Sequence, residues 1–229
     1  MKWRDLFTGR RSGLERIEQH LLDMLDADRH TFALATSGLF GAGDPATLHR
    51  QASDSDHTVN LLVQQVRREL VVHASLRGAE RDIRTTFATM SIVKDIERIG
   101  DYAKQLLRLA RVRGPFASDS AAHTELTAYC GRISGYLTEA RDALRAYDSD
   151  GARALIAGIH GLTDELGAAT AALLVAEPAP GDGAARALAY HYLARICSHL
   201  SNVLTSLVMP LDKLDFYDEQ HPDRPDDAG

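Results

Sequence analysis

The sequence has few aromatic residues and few cysteines. Aromatic residues make up 6% of the 229 positions, whereas 45% of the residues are hydrophobic. Aliphatic side chains must therefore supply most of the packing in the core. The two cysteines, Cys130 and Cys197, have no paired spacing, which argues against a disulfide framework and against a CxxC zinc or redox site. Both fit a reducing compartment, so we expect a cytoplasmic protein.

Excess positive charge and long apolar runs are missing as well. The net charge is −6, whereas a nucleic-acid-binding surface normally presents a basic stripe, so we do not expect a nucleic-acid partner. The longest largely apolar stretch, residues 168–176, has nine residues and includes Thr170, whereas a membrane helix needs about 20 apolar residues. No apolar run follows Arg10 and Arg11, so neither a Sec nor a twin-arginine signal is expected. Work at a membrane would then require docking on another protein.

Helical periodicity recurs in six blocks, and no credible alternating strand pattern lies between them. The sequence therefore predicts an all-α protein, with six long antiparallel helices that form two tandem three-helix bundles. Asp44 and Pro45 read as an N-cap and a first helical residue, Gly78 marks a tight turn, and Gly114 with Pro115 ends a helix. The predicted helices cover about residues 12–37, 45–76, 79–113, 121–147, 150–176 and 183–211.

The punctuation also predicts the domain organisation. Residues 114–122 are the best linker candidate and lie near the middle of the chain. The predicted units are a first bundle at residues 12–114, a second bundle at residues 121–212 and an acidic tail at residues 213–229. The prolines and aspartates of the tail cannot bury enough surface to order it, so we expect fraying from about Gln220.

A segment of the third predicted helix, residues 89–110, combines an unbroken apolar stripe with two carboxylates, Glu97 and Asp101. Their spacing of four residues puts both acids on one helix face, a turn apart, and this face points away from the core. One interpretation is a solvated face with ordinary ion pairs, such as Lys94 with Glu97 and Asp101 with Lys104. The other is a preset carboxylate patch that binds cations.

The string KDIERIGDYAKQ around these acids resembles the signature of the PhoU family. In that family a helix reads approximately D-L-E-R-I-G-D-x-A-x-N, and its acids form an E(D)xxxD metal motif. The resemblance implies twin three-helix halves. The matching residues are Asp95, Glu97, Arg98, Ile99, Gly100, Asp101 and Ala103, with Gln105 in place of the usual Asn.

The chain contains a decayed second copy of this segment. A shift of 97 places aligns residues 192–199 with residues 95–102 and keeps an Arg-Ile pair. Such an internal duplication is what the family's twin halves lead one to expect. Ala194 and Ser198 replace the two acids in this copy. We therefore do not expect a complete multinuclear cluster in the second half, where His160, Asp164 and His199 would have to compensate.

A second pair of candidate metal ligands lies on the second predicted helix. Asp56 and Asn60 repeat the spacing of four residues, and the resemblance implies that this helix supplies an acid pair facing the first. Asn60 departs from the expected carboxylate, although an Asn oxygen can still ligate a hard cation. A cation would remove the repulsion between facing carboxylates. With iron clusters or other metals implied in some family members, the predicted site binds iron or another divalent or trivalent metal through Asp56, Asn60, Glu97 and Asp101.

Three functions from different classes are compatible with the sequence. The resemblance implies a regulatory adaptor in phosphate homeostasis that restrains phosphate transport or phosphate-starvation signalling by contacting a phosphate transporter or its sensor histidine kinase. The alternatives are a carboxylate-metal-dependent enzyme acting on phosphoesters and a purely structural helical dimer. We favour the adaptor, with no catalytic residues, because nothing supplies a nucleophile, a matched base and an oxyanion site together. Its long amphipathic helices make a homodimer the expected assembly.

Overall fold

The computed structural model describes residues 11–76, 82–177 and 181–214, and within these ranges it contains six long α-helices and no strand. This confirms the predicted all-α class. A short 3-10 turn at Leu211–Lys213 follows the last helix. The helices are α1 (Arg11–Leu39), α2 (Pro45–Ala74), α3 (Ile83–Arg113), α4 (Ala121–Ala146), α5 (Ser149–Val175) and α6 (Gly183–Val208).

Local signals in the sequence set the helix ends. The Asp44 carboxylate accepts a hydrogen bond from the Thr47 backbone N–H at 2.9 Å, and Pro45 is the first residue of α2, so the predicted cap is confirmed. Helix α3 ends before Gly114, whose φ of 86° favours glycine. The predicted turn at Gly78 and the tail from residue 215 onwards lie outside the described residues.

The two halves pack against each other as well as within themselves. Helix α1 contacts α2 and α3, while α5 and α4 contact α6; the halves meet where α3 packs on α6 and α1 packs on α4. One cluster of buried, mostly aliphatic side chains runs through both halves. Because of this shared core, the division into units at residues 12–114 and 121–212 stays a prediction. The α3–α6 and α1–α4 contacts place the signature helix at the centre of the molecule.

Candidate functional site

The described part of the chain brings the predicted acids of α2 and α3 together around a lysine. The Lys104 ammonium lies 2.5 Å from Asp56 Oδ1 on α2 and 3.1 Å from Asp101 Oδ1 on its own helix. Partial burial lowers the pKa of Lys104, but the hydrogen bonds and charges of the two aspartates outweigh it, and the pKa is raised overall. An ammonium group of the chain itself therefore bridges the two helices that carry the predicted site.

The other two predicted ligands also have partners. Asn60 donates its side-chain N–H to Asp56 Oδ2 at 3.3 Å. Glu97 lies 3.8 Å from the Arg67 guanidinium on α2, so the pair expected between Lys94 and Glu97 is wrong. The pair predicted between Asp101 and Lys104 is confirmed.

Asp28 on α1 is the acid that the sequence analysis missed. Its side chain is fully buried, and neither of its carboxylate oxygens has a hydrogen-bond partner among the described residues. It faces Gly100 of α3 so closely that a Cβ atom there would lie 2.4 Å from Asp28 Oδ1. The signal was present in the sequence, because Leu25 and Phe32 flank position 28 at helical spacing and place it on the buried stripe of α1.

The buried Asp28 carboxyl and the predicted acids form one electrostatic group. Burial raises the pKa of Asp28 well above its usual range, the charges of Asp101 and Asp56 raise it further, Lys104 opposes them, and Glu97 adds a smaller increase. Asp28, Asp56, Glu97 and Lys104 line the same recess. The described residues thus place four carboxyl groups around a single ammonium.

These observations test whether a metal fits. A buried carboxylate without a partner, next to three further acids, is the kind of donor set that a hard cation prefers. The Lys104 ammonium, however, already lies between Asp56 and Asp101, and the recess is too narrow to admit a water molecule. Among the described residues, no three His, Cys, Asp or Glu side chains are arranged to hold a metal ion. A metal would have to displace Lys104, and the metal site stays a prediction.

The second half uses its polar residues in separate contacts. Ser198, at the position equivalent to Asp101, donates to the Ala194 backbone oxygen at 3.0 Å. His160 Nε2 lies 2.9 Å from Ser201 Oγ, whereas His199 Nδ1 lies 2.8 Å from Asp95 Oδ1 on α3. The two histidines therefore belong to different contacts rather than to one ligand set.

Two comparisons with known proteins bear on this arrangement. A family model described as the PhoU domain matches residues 21–110, which contain most of α1, all of α2 and the signature part of α3. Residues 21–110 are therefore similar to a PhoU domain. Among curated proteins, none matches this chain significantly.

The PhoU fold extends beyond the matched domain. The crystal structure of PhoU from Pseudomonas aeruginosa superposes with a TM-score of 0.73 and covers 86% of this chain and 96% of that chain, at 23% sequence identity. The resemblance read from the signature is thereby confirmed, and the likeness in fold includes the diverged second half. The region that the PhoU-domain model matches contains Asp28, Lys104 and all of the predicted metal ligands.

Proposed function

We propose that this protein is a cytoplasmic regulatory adaptor in phosphate homeostasis that acts through protein contacts. The observation that carries the proposal is the match of residues 21–110 to the PhoU-domain family model. The PhoU family is regulatory and non-enzymatic, which supports a general role in phosphate homeostasis over catalysis. In specific terms, the adaptor restrains phosphate transport or phosphate-starvation signalling by contacting a phosphate transporter, a sensor histidine kinase or both. Among the described helices, none combines the length and apolarity of a membrane span.

Exposed apolar side chains at one end of the PhoU domain support a role in protein contacts. Val71 and Val72 near the end of α2 are 61% and 62% exposed, and Phe87 near the start of α3 is 58% exposed. Helix α2 ends at Ala74 and α3 begins at Ile83, so these side chains lie at the same end of the two helices. Clustered exposed apolar side chains are typical of surfaces that bind another protein.

Affinity capture tests the adaptor. The full chain should recover phosphate-transporter or histidine-kinase components from its native host. The double variant Val72→Asp/Phe87→Asp should lower that recovery several-fold, because each change places a charge in an apolar contact. Val112→Asp is the matched control, since Val112 is 78% exposed at the other end of α3. Repeated capture without either class of component would remove the proposal.

A regulatory metal at Asp56, Asn60, Glu97 and Asp101 is the second part of the proposal. Iron or another divalent or trivalent ion would neutralise the facing carboxylates and hold α2 and α3 in register. Binding would have to displace the Lys104 ammonium, which now occupies the space between two of the acids.

Elemental analysis of protein purified without a chelator tests this part. Glu97→Ala/Asp101→Ala should abolish bound metal, whereas Lys104→Met should increase it, because the variant removes the competing ammonium while keeping a side chain of similar length. If both the unmutated protein and the Lys104→Met variant contain no metal, the acids form a charged surface only.

The oligomeric state and the alternative of an enzyme are tested by separate measurements. We expect a homodimer, because long amphipathic helices readily self-associate, and light scattering on the purified chain gives the mass directly. Metal-dependent turnover of phosphoesters that disappears in Glu97→Ala/Asp101→Ala would replace the adaptor with an enzyme.

A further inference from the structure

A polar groove lies between the two halves, where α3 packs on α6. Its volume is about 620 Å³, within the range of about 300–1,000 Å³ that small-molecule sites have. Helix α3 and helix α6 both line it. The lining side chains that matter here are Lys94, Asp95, Arg98 and Tyr102 from α3 and Arg195 and His199 from α6.

The groove is positively charged although the whole chain is acidic. Lys94, Arg98 and Arg195 supply three cations, and Asp95 is the one acid that lines the groove with them. Among the described residues, no carboxylate lies within ion-pair distance of Lys94 or Arg195. Arg98 has only Asp101, at 3.6 Å. The groove therefore carries excess positive charge in a chain with a net charge of −6.

The single acid of the groove is already engaged in the contact between the halves. Asp95 is nearly buried, and its Oδ1 accepts from Asn202 at 3.1 Å and lies 2.8 Å from His199 Nδ1. With the proton on Nδ1, a neutral His199 donates to Asp95 and accepts at Nε2 from Arg195, whose Nη2 lies 3.3 Å away. Asp95 is thus committed to His199 and Asn202 and does not pair with the cations of the groove.

These contacts hold Arg195 in place before any ligand arrives. Arg195 donates its Nε–H to the Tyr102 hydroxyl at 3.4 Å, and the Tyr102 ring stacks on His199 with ring centroids 5.6 Å apart. A cation that is already oriented loses less conformational entropy when it binds an anion. Arg195 is therefore preorganised at the wall of the groove.

The internal repeat explains why Arg195 has no local counter-charge. A shift of 97 positions aligns Arg98 with Arg195 and Asp101 with Ser198. Arg98 pairs with Asp101 three residues later, whereas the equivalent neighbour of Arg195 is an uncharged serine. The packing of α3 on α6 brings both copies of the arginine to one groove, and the lost acid leaves the second copy unneutralised.

We propose that this groove binds a small phosphate-bearing anion, with Arg195 and Lys94 as the main contacts and Arg98 as the third. A guanidinium fork and an ammonium point charge are the two groups that bind phosphate oxygens most strongly. The volume exceeds what a single phosphate ion needs and admits a phosphorylated molecule of nucleotide size. This inference stands on the geometry of the groove and does not rest on the proposed adaptor function.

Calorimetric titration of the full chain at low salt tests the groove, with inorganic phosphate, pyrophosphate and ATP as separate probes and citrate as a carboxylate comparison. At least one phosphate probe should saturate the protein. Lys94→Gln/Arg195→Gln should weaken its binding about tenfold or more, because two charge-assisted contacts are lost. The matched control Arg108→Gln/Arg111→Gln removes the same charge from exposed positions of α3 outside the groove and should stay within about twofold of the unmutated protein.

The titration results distinguish the possible ligands and include results that would overturn the proposal. Tighter binding of ATP or pyrophosphate identifies a larger phosphorylated molecule, and binding led by inorganic phosphate identifies the free ion. No saturation by any phosphate probe up to about 10 mM, an equal loss in the control pair, or a preference for citrate would overturn the proposal. Lys94→Gln alone guards against misfolding, since this side chain is exposed. If affinity capture recovers no partner, the titration results still stand, so the groove proposal and the adaptor proposal can fail independently.

Discussion

The carboxyl group of Asp28 lies on the buried face of α1 and has no hydrogen-bond partner among the described residues. Burial raises its pKa well above the usual range, and the charges of Asp101 and Asp56 raise it further. An acid with a raised pKa holds its proton more tightly in the folded chain than in the unfolded one. Ionisation of Asp28 therefore opposes folding, and the cost grows with pH.

Asp28→Asn should stabilise the metal-free protein, and the gain should depend on pH. Below about pH 3.9, the ordinary pKa of Asp, both states of the wild type are protonated and the variant has no advantage. As the pH rises from there towards the raised folded-state pKa, the wild type loses stability relative to the variant, which should end about 1–3 kcal/mol more stable than the wild type. Urea denaturation with chelator at pH 4, 6 and 8 measures this difference.

Asp23→Asn is the control for this series, because Asp23 is an exposed acid of the same helix. Its effect on the free energy of unfolding should change little with pH. A constant difference between Asp28→Asn and wild type at all three pH values would contradict a raised pKa.

Single residues show what spacing can and cannot predict. The i,i+4 rule places Glu97 and Asp101 on one face of α3 and needs no knowledge of neighbours. The bridge from Lys104 to Asp56 depends on side-chain conformations across two helices, and no pattern along the chain encodes it. Asp28 could have been found, because an acid on an apolar stripe stands out, but its isolation from any partner could not.

At the scale of helices, α1 and α3 approach each other closely at Gly100. A Cβ atom at this position would lie 2.4 Å from Asp28 Oδ1 and 3.4 Å from its Cγ. A glycine inside a helix costs about 1 kcal/mol relative to alanine. The close approach is a physical reason for this glycine within the signature helix.

Gly100→Ala should destabilise the protein by about 1–3 kcal/mol despite the better helix propensity, because the methyl group overpacks the contact with Asp28. In the Asp28→Ala background the same change should be neutral or stabilising, since the methyl group enters freed space. Chemical denaturation of the four proteins in a double-mutant cycle gives the coupling.

Gly131→Ala is the control that measures the effect of helix propensity without a steric contact. Gly131 is exposed on α4, and a Cβ atom there meets nothing within 4 Å. This variant should gain up to about 1 kcal/mol. An equal penalty for Gly100→Ala with and without Asp28 would show that the contact is not the cause.

The helix ends follow from the sequence because their causes are local. The predicted fourth helix, residues 121–147, and the observed helix Ala121–Ala146 agree closely. The sixth helix was predicted to reach residue 211 but ends at Val208. Met209 has an extended backbone, with ψ of 149°, directly before Pro210, and a residue before proline avoids the helical conformation.

At the scale of the whole molecule, polar contacts join halves that the sequence reads as separate bundles. Asp95 on α3 binds His199 on α6, and Arg141 on α4 makes a forked contact with Asp26 on α1, with two of its N–H···O distances at 2.9 Å. The shift of 97 residues predicts two similar halves. It does not predict which helices meet between them, because that choice depends on the shape of complete helix faces.

We expect the halves to unfold together, since one core runs through both. Calorimetry of the wild type should give one transition with equal calorimetric and van't Hoff enthalpies. Asp95→Ala leaves the largely buried His199 and Asn202 without their acceptor, which should cost about 1–3 kcal/mol. For a chain of this length that corresponds to a melting temperature lower by roughly 2–12 °C.

Asp54→Ala is the matched control, because Asp54 is exposed on α2 and lies away from the contact between the halves. Its melting temperature should stay within about 2 °C of wild type, as surface substitutions usually change stability by less than about 0.5 kcal/mol. Two separate transitions in the wild type would show that the shared core does not couple the halves. A melting temperature for Asp95→Ala equal to that of Asp54→Ala would show that the Asp95 contacts with α6 add no stability. One transition in the wild type, with Asp95→Ala alone melting lower, is the result that a contact holding α3 on α6 requires.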